Sequence, residues 1–173
     1  MVVLADKENC TGCGACQAVC PYGAIQMIKS AEGFAYPQIS SGKCIECGAC
    51  EATCPVININ TPGDLRKVLA AKSKNEEERK ESSSGGIFSV LAKGVLQQGG
   101  VVYGAAFDDA LAVEQVRIDT VADLDKLRGS KYVQSDMKKV YGALKKDLNT
   151  DRSVLFVGTP CQVDGVQAFV RQQ

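Results

Sequence analysis

Eight of the nine cysteines in this 173-residue chain lie in two short runs near the N-terminus, and this arrangement constrains the fold more than any other feature. The first run is CTGCGACQAVCP, residues 10–21, and the second is CIECGACEATCP, residues 44–55. They align at an offset of 34 residues, and each has the spacing C-x2-C-x2-C-x3-C-P. A repeat this similar predicts two equivalent binding sites within the first 60 residues.

The spacing of each run is the ligand pattern of bacterial ferredoxins that hold two [4Fe-4S] clusters. Three closely spaced thiolates of one run bind one cluster, whereas the fourth cysteine, which precedes proline, binds the other cluster. We therefore predict two [4Fe-4S] clusters. The predicted ligands are Cys10, Cys13, Cys16 and Cys54 for the first cluster, and Cys44, Cys47, Cys50 and Cys20 for the second.

A structural zinc module is the alternative interpretation, because zinc also binds four cysteines. Zinc ribbons normally use separated C-x2-C pairs, whereas here each run contains four cysteines and ends in proline. The pattern therefore favours clusters, and with them electron transfer, without identifying the reaction that the electrons serve.

The composition excludes several other functions. The chain has no histidine, so it lacks the usual general base of hydrolases and any Ser-His or Cys-His pair. Lysine plus arginine and aspartate plus glutamate both number 20, so there is no basic excess and we expect no nucleic-acid partner. We find no signal peptide and no apolar run long enough for a membrane span, and we expect a cytoplasmic chain whose thiols stay reduced.

The remaining sequence predicts a different architecture. Residues 61–86 are typical of a polar linker with a short helix in its middle, and residues 87–173 alternate helices and strands as an α/β domain does. The predicted helices are residues 87–100, 121–129, 135–148 and 159–173, and the predicted strands are 101–108, 112–119 and 153–158. The fold class is thus α+β, with a small ferredoxin-like dicluster module at residues 1–60 followed by an α/β domain.

Three stretches of this second part resemble the coenzyme F420 hydrogenase/dehydrogenase beta-subunit family, in the order found in that family. They are RKESSSGGIFSVLAKGVLQQGGVVYGAAFDDAL (79–111), LDKLRGSKYVQSDM (124–137) and VLFVGTPCQVDGVQAF (154–169). The resemblance implies a flavoprotein-type domain that uses FAD to pass electrons between clusters and a two-electron acceptor, which is coenzyme F420 in archaeal members. Family members continue well beyond the position of Gln173, so we expect this chain to be an N-terminal fragment.

Two segments are candidates for the flavin site. SSSGG, residues 82–86, precedes a helix, where free backbone N–H groups favour an anion such as pyrophosphate. In this hypothesis Ser83 and Ser84 donate hydrogen bonds and Gly85 and Gly86 allow close approach; alternatively, Ser84 only caps the helix and the glycines form a turn. In the loop of residues 129–135, Lys131 would neutralise charge and Tyr132 would stack on a ring, although isolated Lys-Tyr pairs are usually surface residues.

The ninth cysteine, Cys161, lies in GTPCQ, where a predicted strand ends and a helix begins. Ligand sites of α/β domains form at this edge of the sheet, so Thr159 and Cys161 are candidate cofactor contacts. Three roles remain open for Cys161: a ligand of a further [4Fe-4S] cluster, a non-ligand neighbour of the flavin, or a buried small apolar residue.

These features predict an oxidoreductase that relays electrons between a redox partner protein, the two clusters, FAD and a small-molecule hydride acceptor. The partner would be a ferredoxin or one of the other proteins of a hydrogenase or dehydrogenase complex, and the acceptor a compound such as coenzyme F420. The alternative is a non-enzymatic, ferredoxin-type electron carrier with an added docking domain.

Overall fold

The computed structural model describes residues 2–59 and 67–172. It contains two compact units, one formed by Met1–Thr61 with Gly158–Gln173 and the other by Pro62–Val157. Residues 158–172 thus group with the first unit, whereas the predicted division placed them in the second domain. The predicted boundary at residue 60 lies outside the described residues, and the predicted linker and domain limits stay predictions.

The first unit is built around the two cysteine runs and the hairpin between them. Helix α1 (Ala15–Val19) and helix α2 (Ala49–Thr53) are equivalent elements of the repeat. Strands β1 (Ile25–Lys29) and β2 (Ala35–Ile39) pair antiparallel, which confirms the predicted hairpin. Each short helix begins after a glycine with positive φ, 78° at one and 75° at the other, a backbone conformation that suits glycine.

The last helix, α6 (Pro160–Arg171), completes this first unit by packing against α1 and α2. Its Val166 and Phe169 are buried. Proline at the first helical position fits the start of the helix, because its missing N–H would have no partner inside the helix. This long-range packing explains why the helix groups with residues that precede it by more than a hundred positions.

The second unit contains a three-stranded mixed sheet. Its strands are β3 (Val101–Phe107), β4 (Val113–Ile118) and β5 (Val154–Phe156), in the order β4-β3-β5. Strand β3 is antiparallel to β4 and parallel to β5. All three strands were predicted, and they are confirmed.

Helices cover both faces of this sheet. Before the sheet come α3 (Glu76–Lys80) and α4 (Ile87–Gln97), and after β4 come a 3-10 helix (Val121–Leu127) and α5 (Val140–Leu148). One face packs α4 and the 3-10 helix in an apolar core that contains Ala92, Leu96, Val102, Ala106, Ile118, Leu124 and Leu127. The other face meets α5, which contacts β4 and β5. The central strand β3 is therefore buried on both faces, as its continuous apolar sequence predicts.

Two helix predictions need correction. The segment 121–129 forms a 3-10 helix, and the helix expected from residue 135 begins only at Val140. The reason is that Asp136 pairs with the backbone of β4: its N–H donates to the Val113 carbonyl at 2.9 Å, and its carbonyl accepts from Gln115 at 3.0 Å. Among the described residues, no helix is both long and apolar enough to cross a membrane.

Candidate functional site

Two cavities in the first unit are each lined by four cysteines, three from one run and one from the other. The first cavity is lined by Cys10, Cys13, Cys16 and Cys54. The second is lined by Cys20, Cys44, Cys47 and Cys50. Each has an empty volume of about 350 Å³, counting the part that is open to solvent. These are the two sets that the spacing predicts, with the fourth cysteine of each run exchanged between the sites.

The cavities arise from the local geometry of the repeat. Cys16 lies in α1 and Cys50 in α2, whereas the other cysteines lie in the loops on either side of these helices. The two helices pack against each other, so the cysteine that ends each run reaches the cavity of the other run. An amide also points at one of these sulfurs, because the N–H of Ala24 donates to Cys20 Sγ at 3.3 Å.

The thiols of the first cavity influence one another's protonation. Burial, reinforced by the neighbouring Cys13 thiol, raises the pKa of Cys16 to about 12. Burial also raises the pKa of Cys10 and of Cys13, and for both the proximity of Cys54 adds to the effect. Four thiolates are therefore unfavourable here without a positively charged group, and metal binding at such a site displaces the protons.

The donor chemistry of both cavities fits an iron–sulfur cluster. Each offers four thiols in an otherwise mainly apolar lining, and the chain contains no histidine that could replace one of them. Among the described residues, no three Cys, Asp or Glu side chains converge as a single metal ion requires. A cubane is larger than one ion, so the sulfurs that hold it lie further apart. The individual ligand assignments stay predictions.

The structure brings two of the predicted flavin-binding segments together in the second unit. The Ser83 hydroxyl accepts a hydrogen bond from the Ser130 N–H at 3.1 Å, so the 82–86 loop touches the loop that carries Lys131 and Tyr132. Helix α4 starts after Gly86, which has a φ of 78°, and no described side chain caps it. Ser84 is exposed and does not cap the helix, contrary to the alternative interpretation. The first amides of α4 thus lack a side-chain acceptor, a feature that anion binding would use.

The glycines of this loop have a packing role in the protein itself. A Cβ on Gly85 would lie 2.7 Å from the Ala71 carbonyl oxygen, and the Gly85 carbonyl accepts a hydrogen bond from the Ser73 N–H at 2.7 Å. A Cβ on Gly86 would lie 3.3 Å from Ser73 Cβ. Residues 71–73 therefore occupy the space beside Gly85 into which the predicted pyrophosphate would fit.

An ion-pair network that the sequence does not predict holds the two loops in place. Arg128 pairs with Glu78 at 2.7 Å, with Asp125 at 2.8 Å and with Glu81. Glu78 also pairs with Lys93 of α4 at 2.7 Å, and the Lys93 ammonium group holds the pKa of the Glu78 carboxyl below its ordinary value. Partners separated by up to 50 positions leave no local sequence signal, so only the fold reveals this network.

Lys131 and Tyr132 have different surroundings. Lys131 Nζ donates to the carbonyls of Arg128 at 2.7 Å and Lys126 at 3.3 Å, and it lies 6.0 Å from the centre of the Phe107 ring. Burial lowers the pKa of this lysine. Tyr132 is 94% exposed. Lys131 thus binds the end of the 3-10 helix, and the flavin contacts assigned to both residues stay predictions.

Thr159 and Cys161 lie at the start of α6 in the first unit. The Thr159 N–H donates to the side-chain oxygen of Gln162 at 3.1 Å, and Thr159 Oγ1 lies 3.1 Å from Cys161 Sγ. Cys161 is half-buried. The three roles considered for this cysteine stay open.

Comparisons with known proteins agree with this arrangement. Residues 9–58 match the family model of the 4Fe-4S dicluster domain. Residues 68–141 match that of the N-terminal region of the coenzyme F420 hydrogenase/dehydrogenase beta subunit. The family resemblance predicted from the sequence is confirmed. The two matches follow one another along the chain, as the cysteine runs and the second unit do.

Characterised relatives place the chain among redox proteins. It is 31% identical over 173 positions to one of the subunits of the F(420)H(2) dehydrogenase of Methanosarcina mazei, an alignment that covers 92% of this chain and 48% of the relative. The chain thus spans about half the length of that relative. Shorter matches are to a heterodisulfide reductase-like protein of Archaeoglobus profundus, 56% identical over 18% of this chain and 5% of the relative, and to the iron-sulfur protein of the formate dehydrogenase of Wolinella succinogenes, 59% identical over 17% and 14%.

Proposed function

We propose that this chain is part of a cytoplasmic iron–sulfur flavoprotein oxidoreductase. Electrons would pass between a ferredoxin or another partner protein, two [4Fe-4S] clusters and FAD, and would reach a two-electron acceptor such as coenzyme F420. The reverse direction uses the same groups. The relative from Methanosarcina mazei, which is named as part of an F(420)H(2) dehydrogenase, supports this choice of reaction and of a protein partner.

The observation that carries the proposal is the exchange of the fourth cysteine between the two cavities, in a chain whose second unit matches the beta-subunit family. Two four-sulfur sites close together in one small unit suit the transfer of single electrons. A flavin would couple those single electrons to hydride chemistry, which needs a pair of electrons at once.

The start of α4 is the proposed phosphate site of FAD. Ser83 and Ser84 are exposed beside it, and the α4 amides have no capping side chain. Gly86 is needed at the turn itself because of its positive φ. The other proposed contacts with the cofactor are Gly85, Lys131, Tyr132, Thr159 and Cys161, and Cys161 is alternatively the ligand of a further cluster.

The packing of the 82–86 loop favours the second candidate, a ferredoxin-type electron carrier with a docking domain. Because residues 71–73 fill the space at Gly85, the loop has a structural reason for its glycines that needs no cofactor. A carrier would keep both cluster sites but bind no flavin.

Anaerobic purification of the full-length protein distinguishes these candidates. The enzyme proposal expects one FAD per chain by absorption, together with about eight iron and eight sulfide ions for the clusters. It also expects that reduced coenzyme F420 reduces the clusters only when FAD is bound. Clusters without flavin would establish the carrier, and zinc without iron or sulfide would contradict both.

A further inference from the structure

The two four-cysteine sites differ in how much of each lies at the surface. Cys47 is exposed, whereas its counterpart in the first run, Cys13, is half-buried. The whole segment 45–47 is exposed, as is Lys43 just before it. In the first run, Thr11 is exposed but Gly12 is half-buried. One site therefore reaches solvent along its loop, and the other does so much less.

The rims of the two cavities also differ in chemistry at equivalent positions of the repeat. Tyr22 and Ile45 line the second cavity and are 54% and 57% exposed. The residues at the corresponding positions of the first cavity are Val56, which is half-buried, and Thr11, which is polar. The second cavity thus has a large exposed apolar rim beside an exposed ligand position, a combination that the first lacks.

The backbone of the second loop carries a further asymmetry. Glu46 has a φ of 59°, while the equivalent residue of the first loop is a glycine with a φ of 66°. A left-handed backbone is unfavourable for a residue with a side chain, and such residues are concentrated at functional sites. Glu46 and Lys43 give this rim one charge of each sign, so its net charge is zero.

We propose that the unit exchanges electrons with other proteins through the Cys20–Cys44–Cys47–Cys50 site, by docking a carrier protein on the surface formed by Tyr22, Lys43, Ile45, Glu46 and Cys47. This inference rests on the proposed electron-transfer function and adds which site faces the partner. The partner is a one-electron carrier, such as a ferredoxin, with an uncharged apolar surface over its own redox centre. An apolar, neutral rim selects such a surface, because the centre of a protein interface is apolar and depleted of charge.

Each encounter transfers one electron. The reduced carrier is oxidised by one electron and the exposed cluster is reduced by the same electron, and no bond forms or breaks. The transfer rate falls steeply with distance between the centres, so the cluster nearest to the docked surface receives the electron first.

The footprint of a carrier tests the surface directly. The probe is a [2Fe-2S] ferredoxin, whose spectra differ from those of [4Fe-4S] clusters, mixed with the cluster-loaded chain for hydrogen–deuterium exchange. We expect slower exchange in the peptides that contain residues 43–47 and Tyr22. Protection centred on residues 10–13, protection confined to the second unit, or binding without protection of residues 43–47 would overturn the inference.

Matched substitutions at the two repeat positions test the electron transfer. Ile45→Glu should lower the second-order rate constant for reduction by the [2Fe-2S] ferredoxin by about tenfold, as expected when a central apolar contact of an interface is lost. Thr11→Glu adds the same charge beside the other cluster and should change it by less than about twofold. Equal effects of the two variants would overturn the inference.

Iron and sulfide analysis with EPR verifies that both clusters are present in each variant. If Ile45→Glu loses a cluster, Tyr22→Val provides the second variant, with Val56→Ala as its control, and the same contrast in rate is expected. Wild-type protein that holds no [4Fe-4S] cluster would overturn the proposed function itself. A wrong footprint on protein with both clusters would overturn only the docking surface.

Discussion

The Tyr103 hydroxyl on β3 donates a hydrogen bond to the Asp147 carboxylate on α5, with 2.5 Å between the two oxygens. Arg117 of β4 donates to both oxygens of the same carboxylate, at 2.7 and 3.2 Å. Burial, reinforced by this carboxylate, raises the pKa of Tyr103, and the Arg117 guanidinium lowers the pKa of Asp147. Three elements of the second unit are thus joined at one buried acid.

Replacing this acid should strongly destabilise the second unit. Asp147→Asn keeps the shape of the side chain but leaves Arg117 without its main counter-charge, so we expect a loss of about 3 kcal/mol in the free energy of unfolding. Tyr103→Phe removes one hydrogen bond to a charged group and should cost about 2 kcal/mol. Urea unfolding followed by far-UV circular dichroism measures both. A loss below about 1 kcal/mol for Asp147→Asn would contradict the role assigned to the network.

The same carboxylate gives the stability a defined pH dependence. Since the folded-state pKa of Asp147 lies below the ordinary aspartate value of about 3.9, its contribution is complete above that value and disappears as the pH falls through the lower, folded-state pKa. The difference in unfolding free energy between wild type and Asp147→Asn should therefore be constant from about pH 7 to pH 5 and shrink below about pH 4. A difference that grows on acidification would show that the sign is wrong.

The exchanged cysteines predict a pattern of non-additive cluster loss. Cys13→Ser and Cys54→Ser lie in the same cavity, so each single variant and the double variant should retain about four iron ions per chain. Cys13→Ser combined with Cys20→Ser affects both cavities and should leave almost none. Iron and sulfide assays with EPR distinguish this result from pairing within each run, for which the second combination would retain one cluster.

Local sequence spacing and long-range packing explain which features could be predicted. The cysteine sets and the hairpin follow from residues close together in the chain, so the repeat predicted which sulfurs share a cavity. The place of α6 depends on Val166 and Phe169 packing far from their neighbours in sequence, and the Arg128–Glu78 pair joins residues 50 positions apart. Neither leaves a periodic or spaced pattern, and so neither was predicted.

The close approach at Gly85 should make this position intolerant of any side chain. In Gly85→Ala the Cβ would meet the Ala71 carbonyl at 2.7 Å, and since both partners are backbone the loop must shift, at a cost of about 1–3 kcal/mol. Gly94→Ala is the control, because its Cβ would meet no atom within 4 Å and alanine favours the interior of α4 by up to about 1 kcal/mol. Thermal unfolding measures both variants. Equal stability of the two would contradict the packing role of residues 71–73.

The left-handed residue of the second cluster loop should be retained at the expense of stability. A non-glycine residue in this conformation costs about 1–2 kcal/mol, so Glu46→Gly should slow the loss of cluster absorption in urea. Gly12→Ala makes the opposite change at the equivalent position of the first loop, where φ is 66°, and should accelerate that loss. If Glu46→Gly instead accelerated cluster loss, the contacts of the Glu46 side chain would outweigh the backbone strain. The glutamate would then stabilise the loop, and its strained conformation would no longer point to a role at the docking surface.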